Sequence, residues 1–581
     1  MDILYLLLII SVNSVVGKPL VFDTPVVQPL ETFKPWGLNL KSLDCFACTV
    51  AVKEVDNLIK ENATKEEVAK LATDICKLLK IESDRVCDYV VKEFVPEIFG
   101  VAVGAVITPD EVCSRLLGNS CGNPYDPGSV WNVTFPDVPK PPVIPPKPPK
   151  DGSPTLRILH LTDLHYDRRY KAGSNAECGE PLCCRDNDGP PAEGVAGAGL
   201  WGDYRYCDTP KWLIINLLEH LSKNEKFDAI YLTGDLPAHN VWNQTREDEI
   251  EILNEITAML LKYFPKTRIF PSVGNHESAP VNSFPPPYVT GKEAISWLYD
   301  AFTKAWIDTA HWLPEDTRPT IKQGGYYATE FYPGLLVVSL NMNMCNTENW
   351  WLLINETDPA GELQWLISTL QQAENKNQKV HILGHIAPGS GDCLKWWSWN
   401  YYKIVNRYES TITGQYFGHT HIQSLEVMYD LTNTSRPLNV VHMPGSVTTY
   451  KHLNPGYRVC LMDGNYNGSS WMMLDYNNTI LNLTDANLTN KPVWQFAYNP
   501  KVEYGMKNLF PEDWNDFVQR MKTDRPLFDK FRKHLYKSNE HGSCDESCRA
   551  GMICSLESGR SNDDSFCKDA DVEFYKAVTL C

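Results

Sequence analysis

Ile230-Tyr-Leu-Thr-Gly-Asp235-Leu-Pro-Ala-His239-Asn240 decides how this 581-residue chain folds. Its apolar run breaks off at Gly-Asp, the pattern of a short buried strand that ends in a turn and a carboxylate. Four other segments share the layout. The run at 156–161 leads into Asp163-Leu-His165, and the run at 268–273 into Gly274-Asn275-His276-Glu277. The run at 380–383 leads into Gly384-His385, and Tyr416-Phe417 into Gly418-His419-Thr420-His421. Open α/β sheets carry their sites at the C-terminal ends of strands. A glycine ahead of the ligand lets the backbone turn sharply and approach an ion. We therefore expect the five strand ends to converge on two metal ions, with Asp235 bridging them.

The donors are Asp163, His165, Asp235, Asn275, His385, His419 and His421. With Asp235 shared, each ion has four ligands. Mixed carboxylate, amide and imidazole donors suit Zn²⁺, Mn²⁺ or Fe²⁺ better than Ca²⁺ or Cu⁺. One such element alone is weak evidence, since most strand ends carry polar residues; five in series are not. His160, His381 and His442 sit inside strand patterns, where packing or hydrogen bonding is the expected role.

A chain of this length is too long for one core, so several domains are expected. Its 43% hydrophobic and 22% charged residues are ordinary for a globular protein. The net charge of -18 argues against nucleic-acid binding, which usually needs a basic patch. An acidic chain suits an acidic compartment, where carboxylates partly protonate and histidines charge. Residues 1–17 read as a secretory leader, although without a basic start, and no later apolar run is long enough to span a bilayer. The 18 cysteines agree with export, as do the Asn-x-Ser/Thr sequons at Asn62, Asn132, Asn243, Asn355, Asn433, Asn467, Asn477, Asn482 and Asn487. A lysosomal or secreted protein is expected.

Five divisions are read along the chain: a leader at 1–17, a cysteine-rich helical unit at 41–125, a proline-rich linker at 126–153, a catalytic domain at 154–490 and a helical subdomain at 491–581. Cys45, Cys48, Cys76, Cys87, Cys113 and Cys121 frame helical patterns at 50–59 and 66–79. Six cysteines allow fifteen pairings, and spacing alone does not choose among them. Residues 136–150 form a polyproline II spacer, semi-rigid and about 3 Å per residue. Cys345 is expected to pair with Cys393, Cys544 with Cys548 and Cys554 with Cys567. Cys460 and Cys581 are left over. The patterns at 511–522 and 526–536 are helical. The tryptophan-rich run at 396–402 suits choline binding through cation–π contact, a membrane surface, or plain core packing.

The cysteine pattern at 45–121 resembles a saposin B-type domain. That resemblance implies nested Cys45–Cys121, Cys48–Cys113 and Cys76–Cys87 bridges and an apolar face that opens onto lipid. The order Asp-x-His, Gly-Asp, Gly-Asn-His-Glu, Gly-His, Gly-His-x-His resembles the calcineurin-like metallophosphoesterases. Purple acid phosphatases place an iron-binding tyrosine where this chain has Ala238, which argues against a purple iron centre. Gly-Asp-x-Pro-Ala-His, the three-part layout and the segments at 341–349, 396–402 and 453–458 resemble the acid sphingomyelinase family. The fold so implied is multidomain: an all-α disulfide-stapled saposin domain, an α/β metallophosphoesterase built as a two-sheet β-sandwich flanked by helices, and a C-terminal helical subdomain.

The activity implied is acid hydrolysis of sphingomyelin by a two-metal-activated water with two Zn²⁺ ions per chain. The partner implied is an anionic, sphingomyelin-containing membrane surface, with no nucleic acid and no obligate protein partner. The resemblance gives His239 and His276 as the histidines facing the leaving oxygen, and the sequence does not choose the proton donor. It gives Glu348 and Tyr450 as substrate contacts, and Cys178–Cys183 and Cys184–Cys207 as bridges. The runner-up is a related phosphodiesterase acting on nucleotides or other headgroups. A non-enzymatic lipid-transfer protein is the reading from a different class, and the intact ligand set weighs against it.

Overall fold

The computed structural model describes residues 64–78, 80, 82–104, 130–539, 542–563 and 565–567, together with positions 49, 53, 108, 109 and 113. The leader, most of the helical pattern at 50–59, Cys45, Cys48, Cys121, Cys581 and Asn62 lie outside the described residues. The chain divides into two compact units, 1–130 with 350–355, and 131–349 with 356–581. Among the described residues no helix is long and apolar enough to cross a membrane.

In the first unit, α1 (Lys65–Leu78) and α2 (Asp84–Gly104) are joined by the Cys76–Cys87 disulfide. A capping box starts α1: Glu67 N–H donates to Thr64 Oγ1 (3.2 Å) and Thr64 N–H to Glu67 Oε2 (2.8 Å). Val68, Ala72 and Cys76, four residues apart, form its buried stripe. Val86, Val90 and Phe94 of α2, which packs on α1, are buried as well. Cys113 is disulfide-bonded and buried.

The second unit contains the strands β1 (Thr155–Leu161), β2 (Tyr166–Asp167), β3 (Thr209–Pro210), β4 (Ala229–Leu232), β5 (Arg268–Pro271), β6 (Tyr327–Tyr332), β7 (Leu335–Ser339), β8 (Lys379–Leu383), β9 (Ile412–Tyr416), β10 (Ser424–Tyr429), β11 (Pro437–Met443), β12 (Gly456–Asp463), β13 (Met473–Leu481) and β14 (Trp494–Tyr498). They form two six-stranded mixed sheets, ordered β14-β13-β12-β1-β4-β5 and β10-β11-β9-β8-β7-β6, and a small β2-β3 pair. All five apolar runs read from the sequence are strands. Every residue of β4 is buried, as befits a parallel strand in mid-sheet.

Sheet order brings the strand ends together. In one sheet β1, β4 and β5 are neighbours and parallel, with Leu161 level with Leu232 and Leu232 level with Pro271. In the other, β8 and β9 are neighbours and parallel, with Leu383 level with Tyr416. The residues after those ends therefore emerge at one edge of both sheets. Between the sheets, Tyr231 and Tyr416 pack with ring centroids 5.2 Å apart, and Tyr231 Oη lies 2.7 Å from His381 Nδ1.

Helices cover the outer faces. Behind the first sheet lie α3 (Lys211–Asn224) and α4 (Arg246–Tyr263), burying Leu213, Leu217, Ile252 and Ile256. Thr245 caps α4 by accepting from Asp248 N–H (3.1 Å), and three acidic residues in the first turn favour its positive end. Behind the second sheet lie α5 (Glu362–Asn375) and α6 (Lys395–Arg407). C-terminal helices α7 (Pro511–Met521), α8 (Arg525–Leu535) and α9 (Glu546–Glu557) bury Trp514, Phe517, Phe528 and Phe531, with α7 and α9 against β10 and β11.

Two features depart from the sequence reading. The segment read as helical from 491 begins with β14, the edge strand of the first sheet. The proline-rich segment is docked along its first half. Asn400 accepts Val133 N–H (3.2 Å) and donates to Trp131 O (2.9 Å), Gln364 donates to Thr134 O (2.9 Å), and Lys140 pairs with the nearly buried Glu409 (2.7 Å). A polyproline II backbone leaves its polar groups unpaired within the segment, so they find partners elsewhere on the unit.

Candidate metal centre

Left-handed backbone marks the strand ends. Asp163 (φ 50°), His165 (40°), Asp235 (57°), His419 (73°) and His421 (59°) all adopt it, a conformation sparse for residues with a Cβ and concentrated at functional sites. Gly234 has φ 90°, so its turn requires glycine. Gly274 is needed for a different reason. A Cβ there would collide with the backbone nitrogen and Oδ1 of Asp235. Glycine thus serves close packing of one strand end on another as well as sharp turns.

The seven expected donors come together, all buried. Asp235 Oδ2 lies 3.5 Å from His165 Nε2 and 3.1 Å from His385 Nε2. His421 Nε2 is 3.0 Å from His165 Nε2 and 3.5 Å from Asp163 Oδ1. Asn275 Oδ1 is 3.0 Å from His385 Nε2 and 3.1 Å from His419 Nδ1. Two groups result, {Asp163, His165, His421} and {Asn275, His385, His419}, with Asp235 between them.

The hydrogen bonds on the far side of each ring fix what faces inward. His165 Nδ1–H donates to Pro237 O (2.8 Å) and His385 Nδ1–H to Thr233 O (2.6 Å). Both Nε2 atoms are then lone-pair donors aimed at a carboxylate oxygen or at another imidazole nitrogen. Lone pairs converging in a buried site repel unless cations lie between them, so the donor set fits a pair of divalent metal ions. Burial works against charge on Asp235, but neighbouring His385 and His276 hold its carboxyl well below the usual range. Burial would depress the His385 imidazole, but Asp235 and Asp163 lift it to about 10. A cation bound there replaces that proton.

His239 and His276 border the donors. Ring nitrogens of His165, His239 and His421 lie within 4.8 Å of one another, as do donor atoms of His165, Asp235 and His276. His239 is sandwiched face to face between His165 (3.9 Å) and Tyr450 (4.0 Å). Its Nδ1 is 2.9 Å from both carboxylate oxygens of Asp208, while Nε2 has no hydrogen-bond partner. Asp208 was not singled out from the sequence; it arrives through β3, which pairs with β2 just after His165. Thr448 Oγ1–H also donates to Asp208 (2.9 Å). Burial raises the Asp208 carboxyl, yet His239 beside it brings it below its ordinary value. Burial lowers His276 to about 4, and its Nδ1 has no partner. Glu277, from the same motif, is raised to about 8 by burial and by Asp235, and accepts Leu236 N–H (2.9 Å). Of the expected substrate contacts, Tyr450 is buried against His239, while Glu348 is exposed beside the Cys345 loop.

The structure pairs Cys178 with Cys183, Cys184 with Cys207, Cys345 with Cys393, Cys544 with Cys548, and Cys554 with Cys567. Cys460 is a free, buried thiol. Asn132, Asn355, Asn433, Asn467 and Asn477 are exposed, and Asn243 and Asn482 half-buried. Asn487 uses its whole amide, accepting Trp201 N–H (2.8 Å) and donating to Gly202 O (3.0 Å). The tryptophan-rich run is α6. Trp397 stacks on Tyr401 in the core, Lys395 lies over Trp396 and Trp399, and Arg560 lies over Trp399. The chain's own cations occupy those rings.

The chain matches the calcineurin-like phosphoesterases over residues 156–423, the acid sphingomyelin phosphodiesterase C-terminal region over 436–568, and saposin-like type B, region 1, over 43–80. It is 45% identical to a sphingomyelin phosphodiesterase of Bos taurus, covering 95% of this chain and 87% of the relative. Identity to the Homo sapiens sphingomyelin phosphodiesterase is also 45%, covering 94% and 85%. A cyclic GMP-AMP phosphodiesterase of Rattus norvegicus is 29% identical over 71% of this chain and 91% of its own length. Shared sequence along nearly its whole length, together with the phosphoesterase strand ends and the saposin-like region, makes this chain a member of the sphingomyelin phosphodiesterase family.

Proposed function

We propose that the chain hydrolyses sphingomyelin to ceramide and phosphocholine at acid pH, with two Zn²⁺ ions held by Asp163, His165, Asp235, Asn275, His385, His419 and His421. The observation that carries this reading is the buried convergence of those donors in a chain that is 45% identical to sphingomyelin phosphodiesterases over nearly its full length. A bound dinuclear centre supplies Lewis acidity and lowers the pKa of water. The protein does the rest. Asp235 sits where both donor groups can share it. His239 protonates the leaving ceramide oxygen from Nε2, because Asp208 binds Nδ1–H and so turns Nε2 away from it toward the site. His276 lacks such a carboxylate and serves to orient, its backbone N–H donating to Asp235 Oδ1 (2.9 Å). Tyr450 closes the open face of the His239 ring and keeps it in place.

The saposin-like unit presents membrane lipid, with anionic surfaces preferred, and the protein works in the lysosome or after secretion, its leader removed and its exposed sequons glycosylated. Five divisions are proposed, with the catalytic domain starting at 154 and carried past 490 to include β14, the edge strand of its first sheet. Phosphocholine release from sphingomyelin liposomes at about pH 5 tests the reading, with a dinucleotide substrate alongside. Cleavage of the liposomes is expected, and its loss in Asp235→Asn. Hydrolysis of the dinucleotide alone would replace the substrate and leave the metal centre standing. That outcome is the runner-up reading, and the rat relative's name is what supports it.

A further inference from the structure

The two donor groups are supported differently. His165 is oriented by the backbone carbonyl of Pro237, two residues beyond Asp235. In the other group, His385 is oriented by the backbone carbonyl of Thr233, but Asn275 and His419 are held by side chains, those of Asn282 and Asp392. His419 Nε2–H donates to Asp392 Oδ2 (3.3 Å), leaving Nδ1 turned to the site. Asn275 Nδ2–H donates to Asn282 Oδ1 (2.9 Å), which leaves Oδ1 turned to the site. The same Asn282 oxygen accepts from Asn346 Nδ2 (3.0 Å).

Asn346 and Asp392 are the immediate neighbours of Cys345 and Cys393, which form a disulfide. Around that bond the loops are also stitched by backbone: Thr347 N–H to Asp392 O (2.8 Å), Leu394 N–H to Cys345 O (2.6 Å), and a bridge between Asn346 and Cys393. Cys345, Cys393 and Asn346 are all nearly or fully buried. One covalent clasp therefore reaches two ligands through residues adjacent to its two cysteines.

We propose that Asp392 and the Asn346–Asn282 pair, clasped by the Cys345–Cys393 disulfide, are positioning residues for the cation held by Asn275, His385 and His419, and leave the cation held by Asp163, His165 and His421 untouched. The inference rests on the two-cation reading and deepens it. An imidazole or amide ligand free to rotate about χ2 spends part of its time with the wrong atom facing the metal. A hydrogen bond on the far side removes that freedom, and losing such a partner typically weakens metal binding about 10–100-fold. The backbone N–H of His419 also donates to Asp163 Oδ1 (3.1 Å), but that contact does not depend on how its ring is turned, so a clasp that fixes the His419 ring and the Asn275 amide acts on the cation those two hold.

The test is a Zn²⁺ titration of the metal-stripped, full-length protein against a competing chelator, run on the wild type, Asp392→Ala, Asp392→Asn and Asn346→Ala. Wild type is expected to bind two equivalents. Asp392→Ala should keep one equivalent at wild-type affinity and bind the other about 10–100-fold more weakly, and Asn346→Ala, one bond further from its ligand, should weaken the same equivalent by a smaller but measurable factor. Asp392→Asn, which retains an acceptor oxygen for His419, should recover part of the loss. Co²⁺ absorption, read in the same proteins, should change for one equivalent only. Equal weakening of both equivalents, or wild-type affinity for both in either alanine variant, would overturn the assignment. A wild type that binds fewer than two equivalents would overturn the two-cation reading on which it rests. Should Asp392→Ala fail to fold, the Asn346→Ala arm alone decides, since it leaves Asp392 and both cysteines intact.

Discussion

His381 on β8 and His385 just past its end stand four residues apart, and both are fully buried, yet they belong to regions of opposite chemistry. Between the sheets, His381 is closed off by the protein. Its Nδ1 accepts from Tyr231 O–H (2.7 Å) and its Nε2–H donates to Trp471 O (2.7 Å). At the strand end, His385 has one nitrogen tied to a carbonyl and the other aimed at Asp235 and Asn275. Burial alone therefore says nothing of a histidine's role. What separates an interior histidine from a ligand is whether its second nitrogen meets a matching protein group or another lone pair.

The largest effect expected from breaking this contrast is at Asp235. Asp235→Asn should lose metal, measured by elemental analysis, and lose at least about a thousandfold in activity. Lewis-acid stabilisation supplies several kcal/mol, and each 1.4 kcal/mol is tenfold. His381→Gln should keep both ions. If it released metal as readily, the division between the regions would be wrong.

At the border of the site the effects should be smaller and metal-independent. His239→Gln should cost about 10²–10⁴-fold in kcat with metal content unchanged, the range of general acid catalysis. Asp208→Asn should cost about 10–100-fold, the scale of losing a partner that orients a ring. The loss should fall on kcat and leave KM and metal content nearly unchanged. A loss confined to KM would leave Asp208 without a part in orienting the donor.

The interior histidines should show in stability. Burial lowers His381 to about 4, below the ordinary value near 6.5 of an unfolded chain. Between those pH values the unfolded state binds more protons, so stability rises with pH there and is lost as pH falls from about 6.5 toward 4. The melting temperature should fall across that window. His381→Gln should flatten the fall by about 1 kcal/mol per pH unit while activity and metal content stay nearly constant. Smallest of all, burial pushes the Cys460 thiol up to about 12. It should resist alkylation in the folded protein and react only after unfolding.

The ligand strands were legible because each leaves two marks: an apolar run and a donor just beyond its end, four of the five with a glycine between. What supports them was not. Asp208, Asn282, Asn346 and Asp392 carry no motif, and each reaches its partner by tertiary placement, Asp208 standing 31 residues before His239. The signal at Asp208 was slight, an aspartate between Cys207 and Thr209-Pro210 in a loop-like stretch. The left-handed backbone at Asp163, His165, Asp235, His419 and His421 was also hidden, since no glycine occupies those positions. The edge strand β14 escaped because its apolar-polar alternation, Trp494-Gln495-Phe496, breaks at Ala497 and is too short to establish a period. Docking of the proline-rich segment was invisible for the same reason as Asp208: Asn400 and Gln364 lie more than 200 residues away.

The most direct test of the account is the stoichiometry with which Zn²⁺ restores phosphocholine release to the metal-stripped protein. Activity should return only as a second equivalent binds, and Asp235→Asn should recover none at any equivalence. Full activity in the stripped protein, or full recovery at one equivalent, would contradict it.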